Sequence, residues 1–205
     1  MPRDPRTFKA PRLSKHKICA AADKFRKDHS LNAIPINVLG FIEFELQLEI
    51  VPIPNLRTGY DIDAFLYGDW RRIGLDQQSY LSPVMENRLR FSVAHELGHY
   101  VLHRGLLDKY YTTPDEWIRF FKGIPEEQYN WIEYHANEFA GRLLVPVDHL
   151  KAQFSSAMDR INQIRDSTQK DFTLESVSRE IGRKFGVSEQ VIIKSLKSEQ
   201  LFEIV

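Results

Sequence analysis

The chain has 205 residues, and its 28 basic residues balance its 28 acidic residues. This length allows one domain of ordinary size with an appended helical piece, and the lack of net charge argues against a surface that attracts nucleic acid or membrane. A single cysteine excludes an internal disulfide, and without a secretory leader or an apolar run of about 20 residues we expect a cytoplasmic protein with no membrane span.

Residues 1–17 are interpreted as a basic N-terminal arm, because six lysines and arginines and three prolines accompany one aspartate. We expect a solvated tail, with an arm that binds nucleic acid or a partner as the alternative. A helix is predicted over Lys15–Asp28, with Ser14 as its N-cap and with Ile18 and Phe25 on its buried face.

Three strands are predicted in the next part of the chain. A short helix over 35–44 leads to the alternating residues 45–50, and two further strands follow at 62–67 and 71–76. Together they form a small mixed or antiparallel sheet packed on helices. The expected fold class is therefore α+β.

The most specific motif is H-E-L-G-H at 95–99, an H-E-x-x-H pattern in the middle of a predicted helix. No proline falls between Glu86 and His103, and Gly105 is the expected stop of this helix. Histidines four residues apart project from one helical face, so His95 and His99 can bind the same metal ion. Glu96 is placed to take a proton from a water on that metal. The alternative is a chance match on a helix surface.

An apolar stripe supports the mid-helix position of the motif, because Leu89, Val93, Leu97 and Val101 recur every four residues. A glycine costs about 1 kcal/mol relative to alanine inside a helix. We therefore expect another backbone, or the substrate, to approach Gly98 closely.

A hydrolytic zinc site needs a third protein ligand and an open position. His103 lies one turn beyond His99, but we expect a capping or packing role for it, where a partly protonated imidazole suits the helix C-terminus. Leu102 and Gly105 exclude the H-E-x-x-H-x-x-G-x-x-H pattern with its third histidine. The third ligand is therefore sought farther along the chain.

A second helix, which starts after Pro125, offers Glu133 as the best candidate for that ligand. Asn137 shares its stripe one turn on and can accept the spare N–H of a ligating histidine. His135 and Glu138 are rival ligands that rank lower, since they lie off this stripe. Without the first motif, Glu133 would be read as a solvated glutamate.

Residues 106–124 join the two helices and are rich in aromatic side chains. Most of these should pack, but the segment must border the metal cleft and can line a pocket or act as a lid. The side chain that stabilises the oxyanion stays open among four candidates: Tyr80, Tyr110, Tyr111 and His135.

These motifs in this order resemble one known family. RFSVAHELGH at 90–99, LH at 102–103, E-x-x-A-N-x-F-A at 133–140 and LLVP at 143–146 look like the ImmA/IrrE family of metallo-endopeptidases. Many members carry an N-terminal helix-turn-helix domain, which is not visible in this sequence.

The resemblance implies a zincin-like domain in which His95, His99 and Glu133 bind Zn²⁺ and Glu96 is the catalytic base. It also implies a typical substrate, a DNA-binding transcriptional repressor that the peptidase cleaves or inactivates to switch on a mobile-element or stress programme. Mn²⁺ or Fe²⁺ can occupy the same ligands, because affinity alone does not select the metal.

The strand at 71–76 is the last one before the motif helix. In zincin-like domains an edge strand above the metal binds the substrate as an added strand, through backbone hydrogen bonds. We therefore predict that Ile73, Gly74 and Leu75 bind substrate at an open sheet edge, with an ordinary structural strand as the alternative.

After Pro146 the chain is predicted to be helical to about Thr168 and again over 173–185 and 189–197. Thr173 and Ser188 are the expected N-caps, and Gly186 is the expected C-cap glycine. The last two helices resemble a helix-turn-helix. Because they carry little net positive charge, we favour a structural or protein-docking role over DNA binding.

The sequence thus predicts a zinc-dependent endopeptidase with three parts: the arm at 1–17, the zincin-like domain at 18–168 and a C-terminal helical subdomain at 169–205. The alternative is a zincin-shaped regulatory module that docks a repressor or DNA without cutting it. A toxin–antitoxin type of partner is a third interpretation.

Overall fold

The structure is a computed structural model that describes residues 3–111, 113–165 and 174–201. Its strands are β1 (Glu49–Ile53), β2 (Ala64–Leu66) and β3 (Arg72–Asp76). Its helices are α1 (Lys15–Asp28), α2 (Val38–Gly40), α3 (Leu56–Tyr60), α4 (Gln77–Leu81), α5 (Glu86–Leu102), α6 (Arg104–Leu107), α7 (Pro114–Gly123), α8 (Glu126–Leu144), α9 (Val147–Arg165), α10 (Leu174–Phe185) and α11 (Glu189–Ser198). The described chain is therefore a mostly helical α+β fold with a small sheet, as expected.

The sheet is mixed, with the strand order β1-β3-β2. β1 runs parallel to β3 and β2 runs antiparallel to it. β3 is thus the central strand, and pairing on both sides uses the backbone groups that an added peptide would need. The prediction that Ile73, Gly74 and Leu75 form an open, substrate-binding edge is therefore wrong. Strand order depends on which distant segment pairs with which, and the strand pattern does not contain that information.

The first predicted strand is displaced along the chain. The alternating residues 45–50 overlap β1 only at Glu49 and Ile50, because Phe41–Glu45 forms a π-helical turn after α2. Phe41 and Ile42 are buried in that turn. Their burial continues the helical path for one turn beyond the point where the alternation suggests a strand.

Helix α1 has the predicted bounds, and the Ser14 side chain accepts a hydrogen bond from the Lys17 backbone N–H. Ile18 and Phe25 are buried, as expected, and α1 packs against α8. Arg26 donates a hydrogen bond to the Leu143 carbonyl oxygen at 2.9 Å. The helix therefore supports the outer side of the helix that carries Glu133.

The prediction of a solvated arm is wrong for part of residues 1–17, because this part packs on the core. Phe8 is 1% exposed and its ring lies 5.2 Å from the ring centroids of Tyr110 and Phe120. The Ala10 backbone N–H donates to the Gln128 side chain at 2.8 Å. One aromatic residue among many charges gains enough from burial to hold this segment on the core.

Helices α10 and α11 pack on each other across a tight turn. Gly186 adopts a left-handed φ of 63° there, as expected of a C-cap glycine. Arg90 of α5 donates to the Gly186 carbonyl oxygen at 2.7 Å, which ties the turn to the motif helix. Ser188 holds the N-cap position without a side-chain capping bond, and the predicted N-cap Thr173 lies outside the described residues.

Within the described ranges, no helix combines the length and the apolar character needed to cross a bilayer.

Candidate metal centre

Helix α5 carries the H-E-x-x-H motif in mid-helix, as predicted. The helix ends at Leu102, and the predicted stop Gly105 lies in α6 instead. Leu89, Val93 and Leu97 of the apolar stripe are at most 2% exposed. Since α5 also packs along α8, the face with His95 and His99 is held against the helix that carries Glu133. The prediction that two separate helices converge at the metal site is therefore confirmed.

Three side chains converge where these helices meet. The Nε2 atoms of His95 and His99 are 3.0 Å apart, and the Glu133 carboxylate oxygens lie 3.2 Å and 3.3 Å from them. Ligands that bind zinc tetrahedrally at about 2.0–2.1 Å are separated by about 3.3 Å. The donor set and its spacing therefore fit one divalent cation shared by all three residues.

Asn137 lies behind His95. Its Oδ1 is 3.2 Å from Nδ1 of His95, and its Nδ2 donates to the Glu133 carbonyl oxygen at 2.9 Å. The second bond orients the amide so that the oxygen, rather than the nitrogen, faces the imidazole. This is the geometry that would hold His95 with its proton on Nδ1 and its Nε2 free for a metal.

Glu96 lies beside the sheet. One of its carboxylate oxygens accepts a hydrogen bond from the Leu66 backbone N–H in β2 at 2.9 Å. Burial raises the pKa of Glu96, against the opposing effect of the two nearby histidines. A carboxylate with a raised pKa is suited to receive a proton near neutral pH.

The comparisons with known proteins agree with this geometry. The model of the IrrE N-terminal-like domain, Peptidase_M78, matches residues 82–197, which is more than half of the chain. The protein belongs to the ImmA/IrrE family of metallopeptidases. The triad of two histidines and a glutamate lies within the matched residues.

The fold is also similar to that of a solved Mycobacterium tuberculosis transcriptional regulator. The TM-score is 0.55 at 16% sequence identity, and the match covers 88% of this chain and 46% of the other. The chain therefore spans about half the length of that regulator, and the likeness concerns the fold alone. No curated protein matches the chain.

The charges of the three triad residues compensate one another. Burial disfavours the Glu133 carboxylate, yet its hydrogen bonds to both histidines hold its pKa well below the ordinary value. Burial also disfavours protonated His95, but the hydrogen bond to Glu133 and the charge of Glu96 raise its pKa. Hydrogen bonds between the two imidazoles and the Glu133 carboxylate therefore hold the three side chains together.

The rival ligands named from the sequence lie outside the triad. Glu138 forms ion pairs with Lys15 at 3.2 Å and with Lys194 at 2.6 Å. His103 and His135 are fully buried, and their rings are 3.2 Å apart between Nε2 and Nδ1. None of these residues joins the cluster of ligand atoms at the cation position.

His103 lies at the C-terminus of α5, as expected, but the expectation that it is partly protonated is wrong. His103 is the C-cap residue of α5, but it has no exposed surface. Burial lowers its pKa to about 2, so the imidazole is neutral. Its i, i+4 spacing from His99 was the signal that could have placed it behind that residue.

The triad opens into a cleft of about 480 Å³. The aromatic segment borders it, as predicted, through Leu107, Tyr111, Trp117 and Phe121. Of the four oxyanion candidates, only Tyr111 lies in this lining, as far as the structure describes it. Tyr110 packs on Phe8, His135 packs behind the triad, and Tyr80 is exposed outside the cleft.

Two parts of the cleft were missed by the sequence reasoning. One is β2, whose residues Ala64, Phe65 and Leu66 form part of the wall. The other is Tyr129, which also lines the cleft; burial and the nearby Glu133 carboxylate raise its pKa. Tyr129 precedes Glu133 by four residues on α8, and that helical spacing was the signal that could have identified it.

Proposed function

We propose that this metallopeptidase is a zinc-dependent endopeptidase that cleaves a DNA-binding transcriptional repressor. His95, His99 and Glu133 hold Zn²⁺, and Glu96 is the general base. The observation that carries this proposal is the set of distances of 3.0–3.3 Å that join Nε2 of His95, Nε2 of His99 and the two carboxylate oxygens of Glu133. The half-buried carboxylate of Glu96 lies next to His95 in the chain. Two imidazoles and one carboxylate, with a further position left open, are the ligands of hydrolytic zinc sites.

Glu96 performs the proton transfers in this proposal. Bound at the triad, zinc supplies a Lewis acid that polarises the scissile carbonyl and makes a water molecule more acidic. Glu96 takes the proton from the attacking water and passes it to the leaving amine. Its hydrogen bond from the Leu66 N–H fixes the carboxylate beside the cleft, so the proton acceptor does not have to be reoriented during the reaction.

The shape of the surface supports a polypeptide substrate. A second cavity of about 680 Å³ adjoins the cleft and shares Asp63, Phe91, Ser92 and Asn137 with it. β2 pairs with β3 on one side only among the described strands, and its residues line the cleft. An extended peptide can therefore lie along β2 and continue into the second cavity.

Two observations favour a repressor as the substrate. The family resemblance implies such a substrate. A repressor substrate also requires a cytoplasmic peptidase, which agrees with the single cysteine of this chain.

The test compares the zinc-loaded wild type with Glu96→Gln and with a matched control, Glu126→Gln, which changes an exposed glutamate in the first turn of α8. Each protein is incubated with a lysate of the source cells, with and without chelator, and new protein N-termini are identified by mass spectrometry. We expect chelator-sensitive cleavage of one or a few DNA-binding proteins by the wild type and the control, and none by Glu96→Gln.

Bound zinc is measured in the same samples. One zinc per chain in all three proteins, with cleavage lost only in Glu96→Gln, supports the peptidase. The proposal is wrong if the wild type produces no new protein N-terminus that is missing with Glu96→Gln, and if Glu96→Gln keeps its zinc and its biological activity. The protein would then be a binding module.

A further inference from the structure

Behind the triad, three imidazoles form a continuous chain that we call the histidine relay: His99, His103 and His135. Nδ1 of His99 is 3.1 Å from Nδ1 of His103, and Nε2 of His103 is 3.2 Å from Nδ1 of His135. The relay links α5 to α8 on the side of the triad away from the cleft. His103 and His135 have no exposed surface.

The direction of these hydrogen bonds follows from the chemistry of neutral imidazole, in which one ring nitrogen donates and the other accepts. Nε2 of His99 faces Glu133 and His95. When this nitrogen binds a metal, the ring proton of His99 must therefore be on Nδ1. Nδ1 of His103 then accepts that N–H, and Nε2 of His103 donates to Nδ1 of His135. Metal binding at one end therefore sets the tautomer of every ring in the relay.

His135, the last ring of the relay, has a buried nitrogen without a hydrogen-bond partner among the described residues. With Nδ1 accepting, His135 carries its proton on Nε2, and this buried atom has no hydrogen-bond partner in the described part of the structure. A buried donor without an acceptor destabilises the folded protein, because it has lost its hydrogen bonds to water. Two aliphatic side chains would fill this space without that cost, so packing alone does not explain two imidazoles here.

The two metal-facing histidines have different partners. His95 faces the amide oxygen of Asn137, whereas His99 faces the neutral ring of His103. A partner on the second ring nitrogen fixes both the rotation of a ligating imidazole and its tautomer. In the absence of His103, the Nδ1–H of His99 would point into a buried space without an acceptor.

We propose that His103 is a positioning residue that holds His99 ready to bind the metal, and that His135 keeps His103 in the accepting tautomer. The proposal rests on the proposed function, because it takes His99 as a metal ligand. His103 and His135 do not touch the substrate or the metal; they act through His99.

The first test measures zinc affinity by competition with a chromophoric chelator. His103→Leu removes the acceptor, and we expect a loss of about 10–100-fold in affinity. His103→Asn places an amide oxygen near the position of Nδ1 and should recover part of the loss. His135→Phe should cause a smaller loss than His103→Leu. His149→Asn, at an exposed histidine of α9, is the matched control and should bind zinc like the wild type.

A structural role gives a different result. If His103 only packed, His103→Leu would change the stability of the metal-free protein and leave the zinc dissociation constant unchanged. We therefore measure the free energy of unfolding in chelator and in excess zinc; the difference between the two is the stabilisation by zinc. We expect this stabilisation to be smaller in His103→Leu than in the wild type and to recover in His103→Asn. If zinc stabilises His103→Leu as much as the wild type, the proposal is wrong.

The second test uses the wild type and so does not depend on the folding of a variant. In the zinc-loaded, ¹⁵N-histidine-labelled protein, we expect a scalar coupling across the hydrogen bond between Nδ1 of His99 and Nδ1 of His103. A proton on Nδ1 of His103 would overturn the relay. Failure of the wild type to bind zinc would instead overturn the proposed function, so the two failures are distinguishable.

Discussion

Gly98 on α5 lies directly against Ala136 on α8. A Cβ atom at Gly98 would be 2.8 Å from Cα and 3.0 Å from the carbonyl oxygen of Ala136. The two backbones therefore touch at a point next to His99 and three residues from Glu133. This confirms the expectation that a second backbone approaches Gly98, and it explains how ligands from separate helices come within hydrogen-bonding distance.

Gly98→Ala should force the two helices apart. Because the added methyl meets backbone rather than a flexible side chain, we expect a loss of about 1–3 kcal/mol in the free energy of unfolding, and weaker zinc binding as well. Gly141→Ala on α8 is the control, since a Cβ there has no neighbour within 4 Å. It should stabilise the helix by up to about 1 kcal/mol. Urea unfolding in chelator, followed by a zinc titration, measures both; equal effects of the two variants would contradict the prediction.

Asn137→Leu should weaken zinc binding by about 10–100-fold, because it removes the acceptor that faces Nδ1 of His95. Asn137→Asp keeps an oxygen at that position and should retain most of the affinity. The pair is compared by isothermal titration with zinc. If both variants lose affinity equally, the bond from Asn137 to the Glu133 carbonyl is the more important one.

The ion pairs of Glu138 should make α11 sensitive to acid. Burial raises the pKa of Glu138, but Lys194 and Lys15 hold it below the ordinary value of 4.5. A lowered pKa in the folded state contributes stability above pH 4.5, and this contribution is lost as the pH falls through the folded-state pKa.

Lys194→Met should therefore destabilise the protein at pH 7 by up to about 1 kcal/mol, since the lysine is largely exposed. The difference from the wild type should shrink as the pH is lowered below 4.5. Lys197→Met, at an exposed residue of the same helix, is the control and should show no such pH dependence. Urea unfolding from pH 7 to pH 3 measures both; a difference that grows on acidification would contradict the assignment.

Arg90→Met should loosen the contact between α5 and the turn before α11. Arg90 donates to the Gly186 carbonyl at 2.7 Å and to the Asn87 side chain at 2.9 Å, and its loss leaves a buried carbonyl without its donor. We expect a loss of about 1–3 kcal/mol by chemical unfolding. Arg179→Met, which removes an exposed pair with Glu189, should cost less than about 1 kcal/mol. A smaller effect for Arg90 than for Arg179 would refute this view of the turn.

Local periodicity was enough to predict the helices that carry the site. The four-residue spacing of His95 and His99, the apolar stripe beneath them and the helix around Glu133 are repeats within one element. Such repeats decide which side chains share a face before any tertiary contact forms. The bounds of α1 and the mid-helix position of the H-E-x-x-H motif followed from them.

The positions that were predicted wrongly share one physical cause. Ile73–Leu75 has the alternating character of any half-buried strand, and only pairing with β1 and β2 made it central rather than an edge. Phe8 was predicted to lie in a solvated arm, because most of the residues around it are charged or proline. Its burial depends on Tyr110 and Phe120, which are more than 100 residues away in the chain.

The sequence by itself therefore determined the helices that carry the metal triad, the chemistry of that triad and the order of its ligands along the chain. Tertiary structure alone decided the strand order, the burial of the arm, and the partners of His103, His135 and Glu138. The physical reason is that a repeat within one helix or strand is read from neighbouring residues. Which strand lies in the middle, and which buried polar group meets which, depends on the packing of segments far apart in the chain.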